Sequence, residues 1–515
     1  MSHDMHNNLS SFPKSYWLTQ NVSHFPALTE DIETEVAVVG GGIVGILTAY
    51  LAAKAGKSVV LIEGKELLRG ATGHTTAKIS AQHGLIYDDI IRTFDEEAAR
   101  LYYEANIEGG RLIKEIAGDL DIDCGFEAKD AVVFANSPKA VKQIEKEARA
   151  YEQLDIDGRL AYGADDDLPF PVEASLTMRE QAEFHPVQFL TPLLEEIERL
   201  GGRIYEQTRA VKLSKKGKVV HTEQGAELHC QKVVVASHYP FNDFDGFYVS
   251  KLAISRSYAL AAKVEGPIPQ AMYISADKPT RSLRSLTDAE GSQRLLIGGD
   301  SHAVGKSDTP TQSHYNNLEA FGKSWYGLKE TDYHWSAQDM MTLDRVPYIG
   351  QMTASLPNVF VATGFNKWGM AAGALSAQLI TDLITGKANR FEDLFDPTRS
   401  KMKSKDIQQF VKKNTAVAKD LVVTKTEQSD KTPNDLKRDE GGLVTVDGKK
   451  AGAYRDADGQ LHIIKPTCTH LGCGVRWNNA ERSWDCPCHG SRFSYDGKVL
   501  NGPAVEALDR LDTSE

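Results

Sequence analysis

Cysteine is scarce in this sequence: there are 6 in 515 residues, and four of the six fall between positions 468 and 488. So low a content excludes a small, disulfide-stapled secreted scaffold. Cys124 and Cys230 stand alone, and we expect them to be ordinary reduced thiols. The clustered four are interleaved with histidines, a pattern that indicates a metal centre before it indicates disulfides in a reducing compartment.

The chain also lacks an excess of positive charge and a typical membrane span. Its net charge is -12, which argues against a general nucleic-acid binder. The first residues show no charged segment followed by an apolar core, so no secretory signal is predicted. The most apolar run, residues 36–53, contains three consecutive glycines and is typical of a buried strand and helix. We expect a cytoplasmic protein with no membrane span.

A glycine-rich turn between a strand and a helix is the first functional motif. Val36–Val39 is a β-branched strand, and Gly40, Gly42 and Gly45 form G-x-G-x-x-G at the start of a helical segment. The glycines allow a tight turn, close approach of a pyrophosphate and close packing of helix on strand. Glu63 ends the next strand, where its carboxylate is placed to accept hydrogen bonds from a ribose. The unit predicts dinucleotide binding.

A second strand, glycine-rich turn and helix lies late in the chain, in "NVFVATGFNKWGMAAGALSAQLITDLITG", with glycines at Gly364, Gly369 and Gly373. A second helix N-terminus suits a long cofactor whose far end needs its own anchor. This favours a flavin dinucleotide over NAD.

From Ser15 to Gly386 the chain resembles the D-amino-acid oxidase and glycine oxidase superfamily of flavoproteins. Besides the unit ending at Glu63, the matching segments are HPVQFLTPLLEEIERLGGRIYEQTRAVKL from position 185, KVVVAS from 232, RLLIGGD from 294, DRVPYIG from 344 and ATGFNKWGMAAG from 362. The resemblance implies FAD and oxidation of a small amine or amino acid. It also implies an α/β, Rossmann-like FAD domain over residues 1–395, with an inserted α+β substrate domain at about 92–168 and 250–333.

The resemblance further implies a set of cofactor-binding residues, namely Gly40, Gly42, Ile43, Val44, Gly45, Glu63, Thr72, Gly73, His74, Thr75, Val211, Gly364, Phe365, Trp368, Gly369 and Met370. His74 occupies a place where some amine dehydrogenases of the superfamily attach flavin covalently. A hydrogen-bonding or purely structural His74 remains open. Lys78 is a candidate catalytic residue that would put positive charge near the flavin, and a solvated lysine is the alternative. By the same analogy Arg284, His302 and Lys367 are candidate catalytic residues, with Tyr258 beside them; a structural role is open for each.

The C-terminal quarter carries two ligand boxes. Residues 396–417 are polar and lysine-rich, and we expect a linker; residues 418–515 have short strands and hairpin turns, typical of a small all-β domain. The boxes are Cys468-x-His470 and Cys486-x-x-His489. Two thiolates and two imidazoles suit a [2Fe–2S] centre, and zinc takes the same donors. Zinc gives no reason for the two further cysteines.

The boxes closely resemble those of Rieske ferredoxins of the respiratory type. By that resemblance Cys468, His470, Cys486 and His489 are iron ligands, and Cys473 and Cys488 form a disulfide; a reduced pair is the alternative in a reducing cytoplasm. The segment 502–504, Gly-Pro-Ala, resembles the proline loop that covers the cluster. Ser491 stands where the family donates a hydrogen bond to the cluster, and Phe493 stands where high-potential members have tyrosine. We therefore expect a potential below that of respiratory Rieske centres.

The two expected cofactors differ in the number of electrons that they carry, which predicts a different role for each. A flavin accepts two electrons from a substrate, whereas a [2Fe–2S] centre carries one. We expect substrate to reduce FAD, FAD to reduce the cluster, and the cluster to reduce an unidentified one-electron partner; the reverse direction remains open. The alternative is an oxidase that uses O₂ directly, with a structural or redox-sensing Rieske domain.

Overall fold

The computed structural model describes residues 13–288, 291–305, 310–399, 421 and 429–511. From residue 400 onward, the predicted linker of residues 396–417 lies outside the described residues. The α-helices are α1 Ile43–Lys54, α2 Tyr87–Thr93, α3 Glu96–Asp119, α4 Pro138–Gln153, α5 Pro186–Arg199, α6 Asp243–Gly246, α7 Tyr248–Lys251, α8 Gln312–Tyr326, α9 Ala371–Thr385 and α10 Glu392–Phe395.

The strands fall into two large sheets and two small ones. In chain order they are β1 Ile32–Val39, β2 Val59–Ile62, β3 Lys78–Ile79, β4 Glu127–Ala135, β5 Gly158–Tyr162, β6 Ala174–Glu183, β7 Arg203–Tyr205, β8 Ala210–Leu213, β9 Val219–Thr222, β10 Glu227–Val235, β11 Leu252–Val264, β12 Met272–Ser275, β13 Arg281–Thr287, β14 Gln293–Ala303, β15 Leu328–Thr342, β16 Tyr348–Thr353, β17 Leu356–Thr363, β18 Glu440–Val446, β19 Lys449–Arg455, β20 Leu461–Ile464, β21 Arg476–Asn478, β22 Ser483–Asp485, β23 Arg492–Ser494 and β24 Val499–Asn501.

The first large sheet has the order β16-β17-β10-β1-β2-β7, and its pairs from β17 to β7 are parallel. The carboxyl-terminal ends of β1 and β10 and the whole of β2 are apolar and buried, and helices cover the sheet, among them α1, which packs against both α5 and α9. Gly40 follows β1 and Glu63 follows β2, so both lie at the carboxyl edge, where ligands bind in open α/β sheets.

The second large sheet has the order β15-β11-β14-β13-β12-β4-β6-β3 and is antiparallel except where β12 pairs with β4. Its longest strands, β11 and β15, pair along their whole length, and α8 packs on them and on β14. Strands β4, β5 and β11 to β14 of this sheet come from the two predicted insertions. Strands β3 and β6 lie outside them, and β15 begins within the second insertion and extends beyond it.

The C-terminal part is all β, with antiparallel sheets β18-β19-β20 and β21-β22-β23-β24. Trp484 and Phe493 are fully buried between the ligand loops and the strands. An α/β part with an inserted second sheet, followed by an all-β part, confirms the predicted fold class. Within the described ranges, no helix combines the length and apolar character that crossing a membrane requires.

Candidate cofactor cavity and cluster site

A cavity of about 1010 Å³ lies between the two large sheets. Its lining includes the turn after β1, the turn before α9 and strands of the second sheet. The C-terminal part adds Arg492 and residues 500–505. The volume and the two glycine-rich turns suit a dinucleotide with room left for a small substrate.

The nucleotide end of the cavity is formed by the first glycine-rich turn. A Cβ on Gly45 would lie 1.8 Å from the carbonyl oxygen of Gly40, so only glycine lets α1 pack this closely. Thr72 Oγ1 accepts a hydrogen bond from the Ile43 N–H at 3.0 Å, at the first turn of α1. Glu63 accepts one from the Gly41 N–H at 2.8 Å, and burial raises the pKa of its carboxyl. These features fit FAD, because residues 40–44, at the N-terminus of α1, line the cavity.

The second glycine-rich turn forms another wall, as predicted for the ring end. Phe365, Lys367, Trp368, Gly369 and Met370 all line the cavity. The Trp368 indole stacks on the imidazole of His83 with ring centroids 4.9 Å apart. The turn is thus packed against the segment that contains His83.

Lys367 is part of a polar group that borders the cavity, and its side chain is exposed there. Its ammonium donates a hydrogen bond to Ser257 Oγ at 2.7 Å. Burial lowers the pKa of Lys367, and nearby Asp339 opposes this effect. Burial raises the pKa of Asp339, opposed first by Lys367 and then by His238. Asp339 and His238 were not predicted from the sequence, because β15 and the loop after β10 carry no motif.

Lys78 and Arg284, two of the predicted catalytic residues, do not contribute to the cavity lining. Lys78 is buried in the second sheet, where its ammonium donates to the carbonyl oxygen of Tyr273 at 2.7 Å; burial lowers its pKa to about 7. The Arg284 guanidinium forms an ion pair with Glu183 at 3.0 Å and donates to the carbonyl oxygen of Ala77 at 2.7 Å. Arg284 holds the second sheet to the loop before β3, and Lys78 joins β3 to β12.

His302 is also placed away from the lining, since it stacks on His314 and its Nε2 lies 2.9 Å from the Tyr258 hydroxyl. Tyr258 itself lines the cavity. Twelve of the sixteen predicted cofactor residues line the cavity. The other four, Gly45, Gly73, Val211 and Gly364, do not line it.

His74 lines the cavity, with its Nδ1 2.9 Å from the carbonyl oxygen of Gly70. A carbonyl oxygen can only accept a hydrogen bond, so Nδ1 carries the proton in this contact. Nε2 is therefore the nitrogen available for covalent attachment of flavin. Burial lowers the pKa of the imidazole. Covalent attachment of flavin through His74 stays a prediction.

The two ligand boxes meet on adjacent loops of the C-terminal part. The rings of His470 and His489 lie 5.1 Å apart and nearly perpendicular. A hydrogen bond with the thiol of Cys486 lowers the pKa of Cys468 to about 6. Cys473 and Cys488 form the predicted disulfide, which ties the two loops together.

The donor set fits a metal centre. Cys468 and Cys486 are buried thiols that hydrogen-bond to each other, and binding of iron or zinc would displace their protons. Neither ring nitrogen of His470 makes a hydrogen bond within the described part of the chain, although the side chain is buried. A buried imidazole in this state is typical of a ligand whose metal is bound through one nitrogen.

Comparison with known proteins decides the family. A model of the DAO family, FAD dependent oxidoreductase, matches residues 35–383, and a model of the Rieske [2Fe-2S] domain matches residues 403–512. The chain belongs to the DAO family of FAD dependent oxidoreductases. Its FAD domain is followed by a Rieske domain, so FAD and a [2Fe–2S] cluster are its cofactors and zinc is set aside.

Two relatives and one solved structure illustrate the likeness. A Bacillus subtilis (strain 168) protein, YhfW, named as a Rieske 2Fe-2S iron-sulfur protein, is 43% identical over 505 residues, covering 97% of this chain and 98% of that protein. The gamma-glutamylputrescine oxidoreductase of Escherichia coli (strain K12) is 24% identical over 389 residues, covering 72% of this chain and 87% of that protein. The crystal structure of glycine oxidase from Geobacillus kaustophilus has a TM-score of 0.60 at 19% identity, covering 72% of this chain and 99% of that one.

The Rieske domain forms part of the wall of the FAD cavity. Its loop 500–505 contains the predicted proline loop, and the Ala504 N–H donates to Ser491 Oγ at 3.0 Å. Ser491 interacts with Cys468, since its hydroxyl contributes to lowering the pKa of that thiol. One short loop therefore faces the flavin cavity on one side and the cluster ligands on the other.

Buried polar contacts hold the Rieske domain in this position. Gln338 of β15 donates through Nε2 to the carbonyl oxygen of Gly490, in the second ligand box, at 2.8 Å. Glu481 of the Rieske domain lies 4.0 Å from the Arg256 guanidinium of β11 and 3.6 Å from that of Arg492. Although burial raises the pKa of Glu481, the two arginines outweigh it and the net shift is downward.

Proposed function

We propose that this chain is a dehydrogenase in which electrons from a small amine or amino acid enter at FAD and leave one at a time through the Rieske cluster. The observation that carries the proposal is the shared wall: residues 500–505 of the Rieske domain line the cavity that also contains both glycine-rich turns. FAD supplies acceptance of two electrons at the substrate, and the cluster supplies transfer of single electrons.

The substrate class is supported by the relatives and by the cavity. Gamma-glutamylputrescine oxidoreductase and glycine oxidase are named for an amine and an amino acid. In this chain, the Lys367 ammonium on Ser257 offers a cation for a carboxylate, and Asp339 beside it offers an anion for an amine. Trp368 and Tyr258 supply apolar and aromatic surface around them.

The chain's own residues support transfer between two fixed sites. Gln338 and Arg256 are buried, the Glu481 side chain is 10% exposed, and their contacts span the boundary between the FAD and Rieske domains. Breaking them would leave buried charges without partners, which is costly. A docked Rieske domain keeps the cluster ligands at a constant separation from the cavity, so no domain movement is required in each turnover.

The exit from the cluster is proposed to lie on the His470 side. Phe244 packs against the His470 ring with centroids 5.5 Å apart and is 53% exposed, and the neighbouring Leu471 is 44% exposed. Exposed apolar side chains beside a cluster ligand suit transient docking of a one-electron acceptor protein.

An anaerobic substrate screen tests the proposal. Amines, N-methyl amino acids and D-amino acids are added to the loaded full-length protein while flavin absorbance and the EPR spectrum are recorded. A substrate of the proposed class should bleach the flavin and then produce the signal of a reduced Rieske cluster.

Bleaching of the flavin with a cluster that stays oxidised would contradict the proposal. The same mixture in air distinguishes the oxidase alternative. Peroxide formed stoichiometrically by the His489→Ala variant, at the rate of the unaltered protein, would indicate that the cluster is not on the electron path.

A further inference from the structure

His470, a predicted ligand of the cluster, is in contact with an acid of the other domain. Its Nε2 lies 3.2 Å from Oδ2 of Asp243, the first residue of α6. Both side chains are almost inaccessible to solvent, at 6% for His470 and 3% for Asp243. α6 follows β10 of the FAD domain, so the acid reaches the cluster site across the domain boundary.

This contact distinguishes the two ring nitrogens of His470. Nε2 lies within ion-pair distance of the carboxylate, without the alignment of a hydrogen bond, and Nδ1 makes no hydrogen bond with any residue that the structure describes. Iron bound at Nδ1 would leave Nε2 to carry a proton next to Asp243 Oδ2. Histidines that bind metals commonly donate their other N–H to a carboxylate, which fixes the ring and makes it a stronger donor.

The same oxygen of Asp243 also receives a contact from the cavity side. The Tyr239 hydroxyl donates to Asp243 Oδ2 at 3.4 Å, and Tyr239 is buried and lines the FAD cavity. Asp243 thus lies between a residue of the cavity wall and a ligand of the cluster. The neighbouring Phe244 covers the His470 ring, so the contact is shielded from water.

We propose that Asp243 is a positioning residue of the Rieske cluster, contributed by the FAD domain, which orients His470 and lowers the reduction potential of the cluster. Reduction adds one negative charge to the cluster, and a buried carboxylate next to a ligand opposes that charge. The proposal requires the cluster but does not require flavin to be its electron donor. It can therefore hold or fail independently of the proposed function.

The test is a mediated redox titration of the Asp243→Asn variant of the full-length protein, followed by EPR at one fixed pH. Asparagine keeps the shape of the side chain and removes its charge. We expect the cluster potential to rise by about 59 mV, a tenfold change in the equilibrium constant for one-electron reduction. The EPR g-values should shift as well, because the orientation of His470 changes.

Asp245→Asn is the matched control. Asp245 is on the same helix and is exposed, so its replacement removes the same charge without touching His470. A potential in Asp243→Asn equal to that of Asp245→Asn, with unchanged g-values, would overturn the proposal. If the Asp243→Asn variant does not retain the cluster, Asp243→Ser is titrated in the same way. A raised potential then supports the proposal, and a potential equal to that of Asp245→Asn overturns it.

Discussion

The FAD site and the cluster site each depend on residues that are close together in the sequence, whereas the boundary between them depends on residues that are far apart. The nucleotide end of the cavity depends on Gly40, Gly45 and Glu63, which lie within one βαβ unit. The cluster ligands lie within the two neighbouring loops that contain Cys468 and Cys486. The boundary, by contrast, joins residues far apart in sequence, such as Gln338 with Gly490 and Asp243 with His470. Short motifs thus hold each cofactor, and long-range contacts couple the two.

The largest effect is expected at the local FAD motif. Gly45→Val should abolish flavin binding, because even its Cβ would overlap the carbonyl oxygen of Gly40. The flavin absorbance per polypeptide measures this. Gly118→Ala is the control, since Gly118 lies in α3, does not line the cavity, and a Cβ there meets nothing within 4 Å. Cluster content should be unchanged in both variants, and a variant Gly45→Val that retains full flavin would contradict the account of the turn.

Breaking the domain boundary should have the next largest effect. Glu481→Gln leaves Arg256 and Arg492 buried without their shared carboxylate, which we expect to cost about 3 kcal/mol of unfolding free energy. Thermal and denaturant unfolding measure it. In the control Glu115→Gln, the exposed pair with Arg111 is lost, and the cost should be under about 0.5 kcal/mol.

The pH dependence of the same boundary has a definite sign. Because the net shift lowers the pKa of Glu481 below its ordinary value of 4.5, its contribution to stability is complete above pH 4.5 and is lost as the pH falls through the lowered pKa. The unaltered protein should lose this contribution on acidification, and Glu481→Gln should lack that component. Parallel stability profiles for the two proteins below pH 4.5 would contradict this assignment.

The sequence predicted both local sites because their chemistry depends on fixed spacing along the chain. Gly40, Gly45 and Glu63 and the four ligand positions can be identified from the spacing of their residue types alone. Lys78 and Arg284 were placed near a substrate only by analogy, and burial in the second sheet gives them structural partners instead. Asp243 and Asp339 carried no local signal, because their neighbours are decided by the packing of distant segments.

Two lysines predicted from the sequence as catalytic candidates differ in whether they line the cavity. Lys367 borders the cavity and Lys78 does not. Loss of a charged hydrogen-bonding group from the substrate site costs about 1.5–3 kcal/mol, so Lys367→Met should lower kcat/KM by about 10- to 100-fold. Lys78→Met should stay within about twofold of the unaltered protein. Equal losses in the two variants would place the substrate elsewhere.

The smallest expected effect concerns the loop between the two sites. Ser491→Ala removes the acceptor of the Ala504 N–H and a hydroxyl that interacts with Cys468. Loss of a hydrogen-bond donor near the cluster should lower its potential by about 59 mV or less, the equivalent of a tenfold change at most. Redox titration by EPR checks this, and a raised potential would contradict the predicted role of the hydroxyl.

The central claim, that electrons pass from FAD to the cluster within one molecule, is tested most directly by an anaerobic single turnover. Substrate is mixed rapidly with the full-length protein at several protein concentrations, and the rate of cluster reduction is followed by freeze-quench EPR. The account predicts a first-order rate that is independent of protein concentration. A rate that increases with protein concentration, or a cluster that stays oxidised after the flavin is reduced, would contradict it.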